Sequence, residues 1–306
     1  MHRIATDDRT HLLLVNPHSA GGRTLKLVPQ VEAELKARSV RYRLLRTESL
    51  EHGIDEARRA AEAGEVPVVM SGDGLVGQVG GALAETEATM GIIPGGRGND
   101  LARVLGIPAD PAGAVTLLAE GPTREIDVGV ANGRRFLCVA SCGFDSEANR
   151  IANEARLVRG NLVYAYAAIR ALIAWRPARF TITLDGGDPI EFEGYSVAAG
   201  NSRAFGGGMF VAPHAELDDG KLDVITVSQV SKLRYARGLP KAFKGTHLDN
   251  DEVHELRAAT VEVKASRDFA VYADGEHLTD LPATLGVLPQ ALRVIAPHGP
   301  LVGPPS

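Results

Sequence analysis

Three short glycine-rich segments hold residue types able to handle a phosphate group. They are 16–22, with Asn16, Pro17, His18, Ser19, Ala20 and two glycines; 71–74, with Ser71, Gly72, Asp73 and Gly74; and 95–100, with three glycines around Arg97, then Asn99 and Asp100. Glycine lets backbone N–H groups approach phosphate oxygens closely, and the start of a following helix favours negative charge. Asp73 and Asp100 add carboxylates that can meet a nucleotide or its metal ion. A fourth segment, Asp274-Gly275-Glu276, places two carboxylates around one glycine. On a tight turn they can come close, and one then gains the raised pKa suited to general-base work. Each segment also has a plainer reading as a surface turn, since Asp-Gly is a common turn pair. The third segment has neither the Gly-x-Gly-x-x-Gly nor the Walker spacing, so dinucleotide and P-loop readings fail.

The elements that position these residues follow from hydrophobic pattern. Residues 11–16 are an apolar run that predicts a buried parallel strand. Strands are expected at 41–45, 66–70 and 91–94, and helices at 25–38, 53–63, 76–84 and 101–105. Strands alternating with helices predict a parallel α/β sheet. Its strand C-terminal ends share one edge, where the three turns converge. From residue 125 the texture changes to short strands, at 126–130, 135–140, 180–184, 191–199, 222–227, 261–265, 270–273 and 292–296. They predict an antiparallel sheet or sandwich. A helix at 161–175 and a basic helix at 231–244 interrupt it. The boundary falls near Asp127, and the Gly/Pro tail at 297–306 is expected to fray.

The chain has 306 residues, and one domain per ~150 residues predicts about two domains. A net charge of -5 argues against a globally basic nucleic-acid binder. Cys138 and Cys142 read as buried small hydrophobes, which fits a reducing compartment. Residues 1–10 carry charges where a signal peptide needs an apolar core. The apolar run 162–175 contains Arg170 and is too short to span a bilayer. A soluble protein is expected, touching membranes only peripherally.

At these residues the chain resembles the diacylglycerol kinase catalytic family, which includes bacterial soluble lipid kinases and sphingosine kinases. The blocks that carry the likeness begin with 16–21, 71–74 and 93–103. They continue with Asp127-Val128-Gly129, Phe136, 141–145, Asn201, 205–209, Ala212-Pro213, 218–224 and Ala273-Asp274-Gly275-Glu276. They keep their order over almost the whole chain. The resemblance implies an N-terminal three-layer α/β domain, similar to NAD kinase and phosphofructokinase, and a C-terminal β-sandwich. The expected domains are 1–127, completed by a returning segment at about 287–306, and 128–286.

The resemblance implies an ATP-dependent lipid kinase, with diacylglycerol converted to phosphatidic acid as the leading reading. The other readings are a kinase of another long-chain alcohol, a kinase of a soluble acceptor such as NAD, and a weakly active lipid- or nucleotide-binding regulator. It assigns nucleotide contacts to Asn16, Pro17, His18, Ser19, Ala20, Thr47, Gly72, Asp73, Gly74, Gln78, Arg97, Asn99, Asp100 and Asp127. Asp127 resembles the family's aspartate in a water network around the catalytic Mg²⁺. Asp274 and Glu276 are the catalytic pair, either of which can be the base. A separate structural Mg²⁺ would take Asp219 and the carbonyls of Leu222 and Val224, as hard cations take oxygen ligands. Four positions depart from the family pattern: Ala20 for glycine, Leu75 for threonine, Gly77-Gln78 for Asn-Glu, and Arg97 for threonine.

A lipid acceptor requires a membrane surface, on the cytoplasmic face. Lys232, Arg234, Arg237, Lys241 and Lys244 alternate with Leu233, Tyr235, Leu239 and Phe243, a basic amphipathic pattern that reads as membrane-surface binding. Arg156, Arg159, Arg170 and Arg176, around the run ending at Trp175, form a second candidate. No nucleic-acid partner is expected, and a homodimer is left open.

Overall fold

The computed structural model describes residues 9–154 and 162–305. Residues 1–8, Arg156, Arg159 and Ser306 lie outside the described residues. Four strands, β1 (His11–Val15), β2 (Tyr42–Arg46), β3 (Val66–Ser71) and β4 (Thr89–Pro94), pair in parallel in the order β4-β3-β1-β2. β1, β3 and β4 are buried along their whole length, as continuous apolar runs require when helices cover both faces. The helices are α1 (Arg23–Ala37), α2 (Leu50–Glu62), α3 (Asp73–Leu83), α4 (Asp100–Val104) and α5 (Pro111–Glu120). α5 escaped the sequence reading, although its start was legible. Asp110 accepts the Gly113 N–H and Pro111 opens the first turn.

The second half holds β5 (Thr123–Ala131), β6 (Arg134–Phe136), β7 (Val139–Gly143), α6 (Phe144–Glu154), α7 (Leu162–Ala174), β8 (Ala178–Leu184), β9 (Ile190–Gly200) and β10 (Leu222–Ser228). α8 (Lys232–Gly238), β11 (Val253–Ala258), β12 (Thr260–Ala265), β13 (Ala270–Ala273), β14 (Glu276–Asp280) and β15 (Ala283–Ile295) complete it. These strands pair antiparallel, and β15 unites the halves. β15 pairs antiparallel with β12 and β5, then parallel with β4. No helix among the described residues is long and apolar enough to cross a membrane.

Several expectations needed correction. β15 starts nine residues before the predicted strand at 292, because a bulge between Leu288 and Leu292 interrupts its alternation. The strand expected at 135–140 is two strands, since the amides of Leu137 and Cys138 leave the ladder for a carboxylate. The basic helix is one α-helix to Gly238 followed by a 3₁₀ segment, Leu239–Lys244, where Pro240 supplies no N–H. The tail expected to fray is docked: the Val302 N–H donates to the Val104 carbonyl, and Arg203 holds the Leu301 carbonyl. Cys138 and Cys142 are buried free thiols, as expected.

Gly129 lies opposite Phe136 across β5 and β6, and a Cβ there would sit 2.2 Å from Phe136 Cζ. Phe136 is buried and directly precedes Leu137 and Cys138. Gly129→Ala is therefore expected to cost about 1–3 kcal/mol by overpacking. Chemical denaturation measures this; an unchanged midpoint would mean the ring can move aside.

Candidate active site

The three glycine-rich turns follow β1, β3 and β4 and meet on one sheet edge. The second and third turns touch backbone to backbone. A Cβ on Gly96 would lie 2.4 Å from the Gly72 Cα, so position 96 does not tolerate a side chain, and one on Gly72 would be tight at 3.1 Å from the Gly96 Cα. Asp73 opens α3 and accepts the N–H groups of Asn99 at 2.8 Å and Asp100 at 2.5 Å. Asn99 is held in the left-handed region and its Oδ1 accepts the Gly96 N–H. Asp100 in turn accepts the Gly207 N–H at 2.8 Å, tying the third turn to the glycine loop at 206–208. Burial pushes Asp73 up, and burial with the neighbouring Asp73 charge pushes Asp100 up to about 6.

The first turn is looser. Asn16 Oδ1 accepts the His18 N–H, and Ser19 faces Gly72. Pro17 is half-buried, whereas His18 is exposed. Ala20 adopts φ +49°, the left-handed backbone that explains why glycine is the usual residue there. Thr47 is buried after β2, and its N–H donates to the Val15 carbonyl. Arg97 is exposed at the tip of the third turn and Gln78 is half-buried on α3. Arg103 was not singled out as a site residue, yet its guanidinium donates to the Gly98 carbonyl beside the 206–208 loop.

Asp274 and Glu276 join this edge from the other half of the chain. Ala273 pairs with Glu276, so Asp274 and Gly275 form a two-residue hairpin loop, both with positive φ as a type I′ turn requires. The Asp274 carboxylate is buried. Its Oδ2 accepts the Leu137 N–H at 2.8 Å and its Oδ1 the Cys138 N–H at 3.0 Å. Burial pushes it up to about 6 against the pull of those two bonds, and the Asp73 charge adds to the rise. A Cβ on Gly77 would lie 2.7 Å from Asp274 Oδ2. Gly77 thus leaves room for the Asp274 carboxylate in this chain. Leu75, which replaces a threonine, packs in the core against α2. Glu276 is exposed, and its Oε1 lies 3.7 Å from where a Gly74 Cβ would be. The hairpin thus sits against the first turn of α3.

Asp127 is fully buried on β5. Its Oδ1 accepts the Gln290 N–H and its Oδ2 the Gly220 N–H, both at 2.7 Å. Burial raises its pKa, and the charges of Asp219 and Asp218 add to this. Asn201, whose role the sequence left blank, donates to the carbonyls of both Asp127 and Leu137.

Asp219 bonds the Arg257 guanidinium, and its Oδ1 accepts the Lys221 N–H. Arg257 also approaches Asp223 at 3.5 Å, and Leu222 and Val224 are engaged in the β10–β11 ladder. In this structure the Arg257 guanidinium occupies the Asp219 oxygen Oδ2, one of the oxygens the expected structural Mg²⁺ would take. Among the described residues no three acidic, His or Cys side chains are grouped to hold a metal ion. The glycine-rich turns after β1, β3 and β4, with Arg97 exposed on the third, offer backbone N–H groups of the kind that hold phosphate.

The sequence profile of the diacylglycerol kinase catalytic domain matches residues 10–131, and that of the YegS C-terminal NAD kinase β-sandwich-like domain matches residues 138–296. A diacylglycerol kinase of Mycobacterium tuberculosis is 36% identical over 298 residues, covering 94% of this chain and 95% of the relative. A diacylglycerol kinase of Bacillus subtilis is 29% identical over 238 residues, covering 75% of this chain and 77% of the relative. The fold is shared with a diacylglycerol kinase structure from Bacillus anthracis, at TM-score 0.74 and 24% identity, covering 94% of this chain and 97% of that one. An NAD kinase of Archaeoglobus fulgidus, solved with ATP, shares it more distantly, at TM-score 0.53 and 13% identity, covering 95% and 94%. Matched in both halves and along nearly its whole length, the chain belongs to the diacylglycerol kinase catalytic family.

Proposed function

We propose that this chain transfers the γ-phosphoryl group of ATP to the hydroxyl of a membrane lipid, with diacylglycerol, named by its relatives, as the acceptor. The observation that carries this reading is the seating of the Asp274–Glu276 hairpin against the Gly72–Gly74 turn, which puts a carboxylate pair beside a phosphate cradle. Mg²⁺–ATP, when bound, supplies the γ-phosphoryl group and neutralises its charge. Gly72 and Gly96 keep side chains out of the cradle, and Arg97 faces the phosphates. Asp73 holds the third turn in shape through the Asn99 and Asp100 amides. The two carboxylates divide the work. Both Asp274 oxygens are taken by amides, so Asp274 is a positioning residue. Glu276 is exposed and takes the proton of the acceptor hydroxyl.

Phosphate transfer from radiolabelled ATP to diacylglycerol in mixed micelles, with NAD as the control acceptor, tests this directly. Glu276→Gln is expected to lose at least ~10²-fold in turnover, the scale of a lost general base. Asp274 loses its charge as pH falls through about 6, and turnover is expected to fall with it. Asp274→Asn should be slow at every pH and lack that limb. Label in NAD but not in lipid, or near-normal turnover by Glu276→Gln, would sink the reading.

The membrane contact goes through the segment at 232–244. Several of its residues are already engaged within the fold. Arg234 is bound by Glu252 and Asp251, Lys241 by Asn250, and Tyr235 is buried. Among the described residues Arg237 and Lys244 have no ion-pair partner, and Leu233 and Phe243 are exposed. Each cation near an anionic surface contributes about 1 kcal/mol. Arg237→Gln with Lys244→Gln is therefore expected to weaken cosedimentation with anionic vesicles ~30-fold, leaving turnover on a short-chain soluble diacylglycerol unchanged. Undiminished cosedimentation would reduce the segment to a solvated face.

A further inference from the structure

A cleft of about 410 Å³ opens between α6 and α7, lined by Glu147, Arg150, Tyr166, Arg170, Trp175 and Arg267 among others. Among the described residues its charge is one-sided. Glu147 is paired with Arg150 at 2.9 Å, so Arg170 and Arg267 remain in excess. Asp145, on the same helix, is half-buried, bonded to Ser196 and pushed up to about 6 by desolvation. Arg267 is preorganised. Its guanidinium lies 4.7 Å from the Trp175 ring centre and 4.6 Å from that of Phe269, and it donates to the Arg176 carbonyl. Arg170 donates to the Tyr166 hydroxyl.

Trp175 gives the second, independent sign. The residue is only 5% exposed, and stacking on Tyr195 and Phe269 fixes its ring. Its indole N–H finds no acceptor among the described residues. A buried donor without a partner is costly, and a ligand oxygen would satisfy it. The same helix α7 exposes apolar side chains, Ile169 at 61% and Ile173 at 74%, and Lys232 ties α8, with Leu233 61% exposed, to the end of α7 through the Ile173 carbonyl. Guanidinium donors recognise phosphate oxygens well, whereas uncharged diacylglycerol offers them little. The exposed apolar edge favours a lipid-borne phosphate over a free one.

We propose that this cleft binds the phosphate headgroup of an anionic membrane phospholipid, a class that includes phosphatidate itself, while the α7 edge enters the acyl layer. It is a second lipid site, apart from the reacting one. Asp274 is held by amides just before β7, and α6 begins just after that strand. The length of β7 separates them by about 16 Å at 3.3 Å per residue. The proposal rests on the kinase reading only in placing the protein at a membrane. Occupancy would hold the enzyme where its acceptor is, lowering KM for diacylglycerol in anionic vesicles without changing kcat.

Trp175 is the only tryptophan in the chain, so its fluorescence reports on this cleft alone. Monomeric dihexanoyl phosphatidic acid, dihexanoyl phosphatidylcholine and inorganic phosphate are titrated separately, without nucleotide or acceptor. A saturable change with phosphatidic acid, much weaker with the other two, is expected. Arg150→Gln with Arg170→Gln, both exposed side chains, should raise half-saturation about tenfold or more. Arg267→Lys, which keeps the charge but loses the stacked plane, should raise it less. Turnover on a soluble short-chain diacylglycerol should be unchanged in each variant. No saturable change with phosphatidic acid, an unaltered curve in the double variant, or equal binding of inorganic phosphate would each overturn the proposal. The titration needs no catalysis, so its failure and the failure of the kinase reading are separable.

Discussion

The buried carboxylate of Asp274, gripped by the amides of Leu137 and Cys138, is the contact on which the site depends. It lies where the two halves of the chain meet. Hydrogen bonds to an ionised acceptor are among the stronger ones, and a buried carboxylate without them would be expelled or protonated. Its demands are visible around it. The chain breaks between β6 and β7 to offer two free amides, a type I′ loop aims the side chain inward, and Gly77 clears the room it occupies. The consequence is the position of Glu276 over the start of α3.

A second set of contacts makes the two halves one unit. β15 pairs with strands of both, and Asp127 clamps its bulge and the loop at 218–220 through two backbone amides. Asn201 bonds the carbonyls of Asp127 and Leu137, linking that clamp to the segment that grips Asp274. Asp100 closes the opposite side by holding the glycine loop at 206–208. The site is thus a junction between the two halves, and Asp100 and Asp274 carry raised pKa values because they are buried there, with the Asp73 charge adding to both.

The strand–helix alternation of the first half was legible because continuous apolar runs and glycine-rich turns follow local rules. The order of motifs then pointed to the family. What escaped reading depends on distant partners. The gap at Leu137 and Cys138 is invisible without Asp274, and the bulge near Gln290 without Asp127. The tight approach of Gly77 to the Asp274 carboxylate likewise appears only once the two halves are brought together. The pairing of Asp219 with Arg257 also joins residues 38 positions apart, which sequence alone does not show. The two carboxylates of the Asp-Gly-Glu motif were recognised from sequence, but their division of labour needed the fold: one faces inward to amides, the other outward.

The central claim is that one carboxylate both joins the halves and sets the site, and its titration tests this most directly. Backbone amide NMR of Leu137 and Cys138, followed together with the labelled Asp274 carboxyl carbon, should show all three moving with one midpoint near 6, as burial dictates. Amide signals indifferent to pH, or a carboxyl carbon titrating like a solvated aspartate near 3.9, would contradict the account.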